Sequence, residues 1–474
     1  MEAKSYDLYI GGEWVKTESS IPVFHKYSGE CIAYIARAEQ HHVTEAVDAA
    51  QKTFKQDALT PFRRYKILLK ASQLMEERRD EMERSLIREV GKTRKDAMNE
   101  LDRTINTLLL SAEEAKKIHG EMVPLQSTEG SENRLGFTIR VPKGVIGAIT
   151  PFNYPLLLST HKIAPAIAAG NTLVVKPATV TPIATFLLLE VLEAAGLPKG
   201  YINIVTGAGS QVGEWLLDEE RIAMYTFTGS GEVGRHIKER SGMRPVALEL
   251  GNNSPNIVHL DADLELAARQ TAARSFHNAG QACIAVQRIY VHEAVIQEFS
   301  DLYISHVNQL KVGNPEDPDT DVGPMISEKE AIRTEEWVQE AISQGAKSLL
   351  PVKREGALFY PVVLVNTTSE MKVVCREVFA PVVTIIPYSD LDEAFAQAND
   401  SEYGLQAGIF TRDLNIAMKA ARTLEYGGVV INDVSTYRND VMPYGGVKNS
   451  GLGKEGPRYA VEEMTEERMV VINL

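Results

Sequence analysis

The chain has 474 residues, more than one ordinary hydrophobic core can organise, so two or three domains are expected. Hydrophobic residues make up 44% of the chain and charged residues 24%, a balance typical of water-soluble globular proteins. The formal net charge of −14 at pH 7 argues against nucleic acid or an anionic membrane surface as a partner.

Cysteine usage and hydropathy indicate where such a protein works. Cys31, Cys283 and Cys375 are few, odd in number and far apart, which suits a reducing compartment without structural disulfides. The N-terminus lacks the apolar segment of a signal peptide, and no apolar run reaches the ~20 residues that span a bilayer. We therefore expect a cytoplasmic, multidomain enzyme with no membrane partner.

The first 140 residues predict a small hairpin followed by a long helical region. Residues 7–16 turn at two adjacent glycines between apolar segments, a pattern typical of a β-hairpin. Residues 62–118 are dense in Arg, Glu and Leu, and their charges of both signs are most simply the solvated faces of helices. Residues 121–140 are more polar and predict an excursion from the main domain.

From residue 144 onwards, short apolar strands alternate with helices. This alternation predicts a parallel, doubly wound sheet of Rossmann type. Ligands of such sheets bind at the carboxyl ends of the strands. The predicted strands are 145–151, 171–177, 202–207, 223–229 and 245–251, and a helix is predicted over 182–195.

Polar residues gather where these strands stop, and among them is a glycine-rich motif. Asn153, Lys176 and Glu249 each stand at or just beyond a strand end. Residues 229–234, Gly-Ser-Gly-Glu-Val-Gly, match the G-x-G-x-x-G pattern between a strand and a helix, where free amides suit a pyrophosphate. The motif follows the fourth strand of the run rather than the first. The motif predicts nucleotide binding, but its position after the fourth strand argues against the generic ribose-binding role of Glu249.

A second α/β pattern follows Gly251. The last seven residues, 468–474, predict a strand with no obvious local partner, which either closes a sheet of its own chain or adds to a neighbour's. The other predicted elements are strands over 285–292, 360–365 and 382–387, helices over 328–344 and 391–399, and glycine-rich turns at 427–428 and 443–446.

Cys283 follows a predicted break in a helix. The amphipathic run 264–276 ends at Asn278-Ala279-Gly280, and a thiol placed beyond such a break can be approached by a substrate. The alternative is that Cys283 is a small buried hydrophobe, the usual fate of a free cysteine. Taken alone, the stretch favours that alternative.

Seven short blocks decide the matter, because in order and spacing they resemble the NAD(P)-dependent aldehyde dehydrogenase superfamily, especially lactaldehyde- and semialdehyde-type members. They cover nearly the whole chain. The blocks are Pro-Phe-Asn-Tyr-Pro (151–155), Lys-Pro-Ala (176–178), Phe-Thr-Gly-Ser (227–230), Leu-Glu-Leu-Gly (248–251), Gly-Gln-Ala-Cys (280–283), Glu-Val-Phe-Ala-Pro (377–381) and Pro-Tyr-Gly-Gly (443–446).

The resemblance implies an aldehyde dehydrogenase-like α/β fold with three parts. Residues 1–120 and 141–250 would form the NAD(P)-binding domain, and residues 251–445 the catalytic α/β domain. Residues 121–140 and 446–474 would form a small β oligomerisation arm, in which residues 468–474 extend a sheet of the neighbouring subunit to make a homodimer or homotetramer. No metal site is implied.

The resemblance also implies the chemistry. Cys283 would attack an aldehyde to give a thiohemiacetal, and Asn153 would donate its side-chain amide to the developing oxyanion. Hydride transfer to the nicotinamide would leave a thioester on Cys283, and Glu249 would activate the water that hydrolyses it.

For the cofactor, the resemblance places Lys176 on the adenosine ribose, Ser230 near the pyrophosphate, Glu377 on the nicotinamide ribose and Phe379 beside the ring. Thr179 departs from many NAD-preferring relatives, which carry a glutamate there that would repel a 2′-phosphate. We therefore expect NADP to be accepted as well as NAD, with preference for NADP as an open alternative. The resemblance also assigns to the cofactor site Thr150, Pro151, Phe152, Gly207 and Gly229.

The substrate is less constrained. Ala282 stands where phosphoglyceraldehyde-oxidising relatives resemble one another in carrying arginine, which speaks against a phosphorylated aldehyde without excluding it. Arg438 lies on a loop expected to overhang the substrate mouth and would hold a carboxylate, phosphonate or sulfonate. The alternative, Arg438 paired with Asp440 or another surface acid, is about equally supported. A small polar or anionic aldehyde is therefore expected.

Two other functions compete with this one. A dehydrogenase that passes its thioester to coenzyme A would lack the water-activating glutamate, so Glu249 speaks against it. A structural, crystallin-like protein of the same fold would not require Cys283, Asn153 and Glu249 together.

Overall fold

The computed structural model describes residues 3–474, and its first half is built around an eight-stranded sheet. Within the described residues, no helix is both long and apolar enough to cross a membrane. The elements of this half are β1 (Lys4–Tyr6), β2 (Leu8–Ile10), β3 (Glu13–Val15), β4 (Ser20–Phe24), β5 (Cys31–Ala36), α1 (Gln40–Gln56), α2 (Pro61–Glu77), α3 (Arg79–Val90), α4 (Arg94–Ala115), β6 (Met122–Val123), β7 (Arg134–Pro142), β8 (Val145–Ile149), α5 (Pro155–Ala169), β9 (Thr172–Lys176), α6 (Ile183–Ala194), β10 (Ile202–Ile204), α7 (Gly209–Asp218), β11 (Ile222–Thr228), α8 (Gly231–Arg240) and β12 (Val246–Glu249).

The five predicted strands of this half form the parallel centre of the sheet, in the order β12-β11-β8-β9-β10. The predicted hairpin, β2 with β3, extends one edge in antiparallel fashion. Ile146 and Ala148 of β8 enter one apolar core, whereas Val145 and Ile149 enter another on the opposite face. Because both faces are covered, the strands are apolar throughout, as the sequence pattern indicated.

The predicted helical region 62–118 is three helices rather than one. Gly91 ends α3 in the left-handed conformation, at φ 86°. Thr93 then caps α4, since its side chain accepts a hydrogen bond from the Asp96 amide at 3.2 Å. This break matters for the site, because α4 later supplies Asp96 and Arg103 to it.

The second half forms a seven-stranded sheet in the order β15-β18-β19-β14-β13-β20-β21, all parallel except for β15 at one edge. Gly428, predicted in a turn, opens a strand instead. The elements are β13 (Pro255–Val258), α9 (Leu264–Ser275), β14 (Arg288–His292), α10 (Ile296–Val307), α11 (Glu328–Ser343), β15 (Lys347–Ser348), β16 (Arg354–Glu355), β17 (Leu358–Phe359), β18 (Val362–Val365), α12 (Lys372–Cys375), β19 (Val382–Tyr388), α13 (Leu391–Asn399), β20 (Gln406–Phe410), α14 (Leu414–Thr423), β21 (Gly428–Ile431), β22 (Gly451–Leu452), α15 (Pro457–Glu463) and β23 (Thr465–Asn473).

The C-terminal strand finds its partner in its own chain. β23 pairs antiparallel with β7 along its whole length, from Thr465 opposite Pro142 to Asn473 opposite Arg134, and β6 lies on the far side of β7. The rest of the 446–474 segment belongs elsewhere: β22 pairs with β12, and α15 packs against α5. Only β23 of that segment therefore lies in the three-stranded sheet predicted as an arm.

Candidate active site

The strand ends of both halves face one cleft of about 1160 Å³. Asn153, Lys176, Ser230 and Glu249 line it from the first half, at the carboxyl ends of the parallel strands. Cys283, together with the segment around residue 377, lines it from the second half. A ligand in this cleft would therefore contact both halves of the chain, and it would lie at the carboxyl ends of the first half's strands, as expected for a doubly wound sheet.

A strained turn carries Cys283 into this cleft. Helix α9 ends at Ser275, and Asn278, Ala279 and Gly280 follow with φ of 49°, 53° and 71°. Left-handed conformations are unfavourable for residues with a side chain and persist only where the surroundings impose them. At Gly280 a Cβ atom would collide with the Ala380 carbonyl, so glycine is required there. The helix break predicted at these residues is confirmed.

Hydrogen bonds from two distant segments hold the turn. The Asp96 carboxylate of α4 accepts the Asn278 amide at 2.9 Å. The Asn278 side chain donates to the Asn153 carbonyl at 3.2 Å, and the Asn153 side chain donates to the Gln281 carbonyl at 2.9 Å. Asn153 and the thiol are therefore fixed relative to each other, although they lie 130 positions apart in the sequence.

Cys283 rests as a thiol. Its Sγ lies 3.2 Å from the Tyr444 hydroxyl. Burial raises the pKa of the Cys283 thiol to about 11, although the Tyr444 hydrogen bond and the Arg438 charge act to lower it. Because thiolate is the reactive form, activation requires a proton acceptor or a change in the charge around the sulfur.

Glu249 is a buried carboxyl with an unused oxygen. Its Oε2 has no hydrogen-bond partner within residues 3–474. Burial and the neighbouring Glu455 carboxylate raise the pKa of Glu249 well above its usual range, against the lowering effect of Arg438 and Lys162. Buried polar groups are normally satisfied, and a perturbed carboxyl in a cleft is typical of acid–base sites.

Glu455, close to Glu249, has the opposite character. It lies 3.0 Å from His161 Nδ1, 3.4 Å from Lys162 Nζ and 2.9 Å from the Arg438 guanidinium. Burial alone would raise its pKa, but these three groups hold the pKa of Glu455 well below its usual range. The site thus keeps one neutral carboxyl beside one ionised carboxylate.

Arg438, predicted to hold the substrate's anion, is already paired. Besides Glu455, its guanidinium lies 3.7 Å from Asp440, and it stacks on the Tyr444 ring at 3.6 Å from the ring centre. The pairing alternative therefore describes its resting contacts, with buried acids rather than surface ones. Arg438 nevertheless lines a second, smaller pocket.

This small pocket, of about 240 Å³, shares Asn153 and Cys283 with the large cleft. Ala282 lies in its wall, where its methyl side chain leaves room. Sequence reasoning missed several of its residues, among them four with ionisable side chains, because charges and aromatics at helical positions resemble ordinary solvated or core positions. These four are Arg103 from α4, Tyr154 at the start of α5, Arg274 from α9 and His277 from the strained turn.

The large cleft fits a dinucleotide. Ser230 caps helix α8 by accepting a hydrogen bond from the Val233 amide, and a Cβ atom at Gly231 would meet open space. Free amides at such a helix start suit a pyrophosphate. The predicted cofactor residues that line the cleft are Thr150, Pro151, Phe152, Lys176, Gly229, Ser230, Glu377 and Phe379.

Thr179 and Gly207, also predicted for the cofactor, are joined to each other. The Thr179 hydroxyl donates to the Gly207 carbonyl at 2.7 Å. The nearby Lys176 ammonium is buried, which lowers its pKa to about 8, and its hydrogen bond goes to the Pro177 carbonyl. A buried ammonium with only a carbonyl partner can still pair with an anionic ligand.

Comparison with known proteins identifies the family to which the chain belongs. The model of the aldehyde dehydrogenase family matches residues 14–470. The chain belongs to the aldehyde dehydrogenase family. It is an oxidoreductase acting on aldehydes, and the resemblance seen in the seven sequence blocks is confirmed.

Three relatives cover almost all of the chain. A 3-sulfolactaldehyde dehydrogenase of Priestia aryabhattai is 52% identical, over 100% of this chain and 99% of the relative. The structure of aldehyde dehydrogenase 21 from Physcomitrella patens with its product succinate has a TM-score of 0.97 and 37% identity, over 100% and 99% of the two chains. The glyceraldehyde-3-phosphate dehydrogenase GapN of Methanocaldococcus jannaschii with NADP has a TM-score of 0.93 and 42% identity, over 97% and 100%. The predicted fold class is confirmed.

The resting state of Cys283 can be tested by alkylation. Iodoacetamide should label Cys283 of the cofactor-free enzyme slowly at pH 7 and faster as the pH approaches about 11, because only the thiolate reacts. Tyr444→Phe removes a hydrogen bond that lowers the pKa, so labelling at pH 9 should slow by roughly threefold to tenfold. Mass spectrometry of the Cys283 peptide measures the rate. Tyr360→Phe, away from both pockets, serves as the control, and equal wild-type rates at pH 7 and pH 10 would contradict the prediction.

Proposed function

We propose that this enzyme oxidises a small anionic aldehyde to the carboxylic acid with NADP⁺, using Cys283 as the nucleophile. One observation carries the proposal: Asn153 and Cys283 stand where the small pocket meets the large cleft, and Glu249 lines the cleft beside them. An aldehyde in the small pocket would meet the thiol from one side. A dinucleotide in the large cleft would approach from the other.

The residues divide the first half of the reaction between them. The Cys283 thiol proton passes to solvent, the sulfur bonds to the aldehyde carbon, and the carbonyl electron pair moves to the oxygen, giving the thiohemiacetal anion. The Asn153 amide has two N–H groups, of which one is bonded to the Gln281 carbonyl, so the second is available for the oxyanion. One such donor is typically worth about 3–4 kcal/mol of transition-state stabilisation. A bound nicotinamide cofactor would supply the hydride acceptor, and loss of hydride from the thiohemiacetal carbon would leave a thioester on Cys283.

Glu249 acts in the second half of the reaction, the hydrolysis of the thioester. Its unpaired oxygen accepts a proton from water, the water oxygen bonds to the thioester carbon, and the carbon–sulfur bond breaks to release the acid and the Cys283 thiolate. A raised pKa makes the ionised carboxyl a stronger base for this step. The carboxyl must first lose its resting proton, and Lys162 and Arg438 favour that loss because their charges lower its pKa.

The charges of the small pocket support an anionic substrate. Arg103, Arg274 and Arg438 all line it. Arg103 is paired with Asp440 at 2.7 Å and Arg438 with Glu455, whereas Arg274 forms no ion pair within the described part of the chain. The names of the three relatives, which refer to sulfolactaldehyde, succinate and glyceraldehyde 3-phosphate, point the same way. Because Ala282 adds no further cation, we favour a sulfonate or carboxylate over a phosphate.

The reaction is tested by absorbance at 340 nm. Wild-type enzyme with NADP⁺ should oxidise three-carbon aldehydes that carry a sulfonate or carboxylate, with a higher kcat/KM than propanal. Glu249→Gln should keep a burst of one NADPH per active site, while steady turnover falls by about 10²- to 10⁴-fold because the thioester is not hydrolysed. Glu113→Gln, on the surface of α4, is the matched control.

Two outcomes would overturn this proposal. Restoration of turnover by coenzyme A, with formation of an acyl-CoA, would favour the acyltransfer alternative. Absence of any NADPH signal with every aldehyde would favour a structural role.

NADP preference is attributed to Thr179 and Lys176. Thr179→Glu should lower kcat/KM for NADP by at least about tenfold and spare NAD, because the new carboxylate repels the 2′-phosphate and pairs with Lys176. Thr179→Ser keeps the hydroxyl bonded to Gly207 and should leave the NADP/NAD ratio unchanged. An unchanged ratio in Thr179→Glu would remove Thr179 from the cofactor site.

We further propose that β6, β7 and β23 form an oligomerisation arm of a cytoplasmic homodimer or homotetramer. The outer edge of β23 has no paired strand within residues 3–474, and Val471, Ile472 and Leu474 are exposed. Exposed strand edges bearing apolar side chains are typical of subunit pairing. All three cysteines are unpaired, which suits the reducing cytoplasm.

Light scattering tests the arm. Deletion of residues 468–474, or Val471→Glu alone, should convert the oligomer to a monomer or an aggregate, because the apolar edge is lost or charged. Leu414→Glu, at a 74% exposed position of α14, is the matched control. An oligomer that survives the deletion would refute the assignment.

A further inference from the structure

A hydrogen-bonded chain of three side chains stands behind one wall of the small pocket. The Tyr154 hydroxyl is hydrogen-bonded to His277 Nε2. His277 Nδ1 lies 2.6 Å from one oxygen of Asp96, and the other oxygen accepts the Asn278 amide. This chain links α4, the start of α5 and the turn that carries Cys283, and its Tyr154 and His277 both line the pocket.

Buried charges hold Tyr154 in place. The Lys92 ammonium lies 3.4 Å above the centre of the Tyr154 ring and 3.1 Å from the Glu100 carboxylate. Glu100 also accepts the first amides of α5, from Leu156 at 3.0 Å and Leu157 at 3.1 Å. The ring is therefore fixed from below, and only the direction of its hydroxyl hydrogen is free to change.

Two members of this hydrogen-bonded chain, Tyr154 and Asp96, keep one protonation state across the neutral pH range. Burial raises the pKa of the Tyr154 hydroxyl well above 10, so it stays protonated. Burial alone would also raise the pKa of Asp96, but His277, Lys92 and the Asn278 amide lower it to about 2. Asp96 is therefore a carboxylate and accepts only, which places a proton on His277 Nδ1.

The protonation state of His277 Nε2 determines the direction of the Tyr154 hydroxyl hydrogen. When the His277 ring is neutral, Nε2 is an acceptor, and the Tyr154 hydroxyl must donate its hydrogen to it. When the ring is protonated, Nε2 donates to the Tyr154 oxygen, and the hydroxyl hydrogen becomes free to point into the pocket. Imidazole is the side chain whose charge ordinarily changes near neutral pH.

We propose that His277 is a specificity-determining residue whose protonated ring turns the Tyr154 hydroxyl toward the anionic end of the substrate. The protonated state adds both a hydrogen-bond donor and a positive charge to the pocket wall. The inference rests on the proposed oxidation of an anionic aldehyde and names how that anion is selected. His277 thus acts as a positioning residue for Tyr154.

The other charged groups around His277 are largely compensated. Lys92 is paired with Glu100, and Arg103 with Asp440. Arg274 lines the same pocket without an ion pair within the described residues, and Asp96 lies 2.6 Å from the His277 ring. The Cys283 thiol shares the pocket and is neutral at rest.

The test compares two aldehydes rather than measuring one. kcat/KM is measured from pH 5.5 to pH 9 with saturating NADP⁺ for a three-carbon sulfonated aldehyde and for propanal. Their ratio cancels the ionisation of Cys283 and Glu249, which both substrates share, and the sulfonate stays charged throughout. In the wild type the ratio should fall about tenfold or more as pH rises and His277 loses its proton, the effect of one hydrogen bond to a charged group.

Variants locate the effect. His277→Phe should give a ratio that is independent of pH, because the ionisable ring is gone, and Tyr154→Phe should lose most of the preference at low pH. Asp96→Asn should move the fall to lower pH, because the neutral amide no longer stabilises the ring cation. His306→Gln, a surface histidine bonded to Glu265, should keep the wild-type profile.

A wild-type ratio that is flat with pH, or one that falls equally in His277→Phe, would overturn the proposal while leaving the enzyme an oxidiser of anionic aldehydes. If His277→Phe does not fold, the shift in Asp96→Asn decides the matter, and an unmoved profile counts against the proposal. Failure of the wild type to oxidise the sulfonated aldehyde would instead overturn the proposed function, and this inference with it.

Discussion

The site depends on the three left-handed residues that precede Cys283. Asn278, Ala279 and Gly280 turn the chain sharply out of α9, and hydrogen bonds that Asn278 donates to the Asp96 carboxylate and to the Asn153 carbonyl hold that conformation. Strain of this kind persists only where surrounding structure imposes it. The same bonds place the thiol next to Asn153 and beside the cleft that contains Glu249. A single strained turn therefore brings the proposed catalytic residues of the two halves of the chain together.

Around that turn, buried ionisable groups lie beside charged groups that shift their pKa values. Glu249 is held neutral beside an ionised Glu455, and Cys283 remains a thiol near the Arg438 guanidinium, which favours its anion. Such opposed environments separate acid from base among groups of the same type. They cost stability, since a buried group without a partner is unfavourable, and Glu249 Oε2 is one. This distribution suits a catalytic site better than a structural core.

Much of the fold was predictable from local pattern. The five apolar strands between 145 and 251, the hairpin near the N-terminus and the helix break before Cys283 follow from strand burial, glycine position and helical periodicity. The breaks that divide 62–118 into three helices were not predicted, because a charged helical surface looks the same on either side of Gly91. The family resemblance grouped residues 121–140 with the C-terminal strand, but local pattern could not show that this strand pairs with β7, which lies more than 300 residues earlier in the sequence.

The sequence by itself determined the family, the fold class and the identity of the thiol, amide and carboxyl proposed for catalysis, because these residues stand in short motifs at strand and helix ends. Only the tertiary structure decided which side chains share the substrate pocket. Arg103, Tyr154 and His277 come from helices or their ends, where an arginine or an aromatic residue has the same local pattern whether it faces water or a pocket. The pairing of Arg438 with Glu455 was likewise decided by packing, since contacts between distant segments leave no periodic trace.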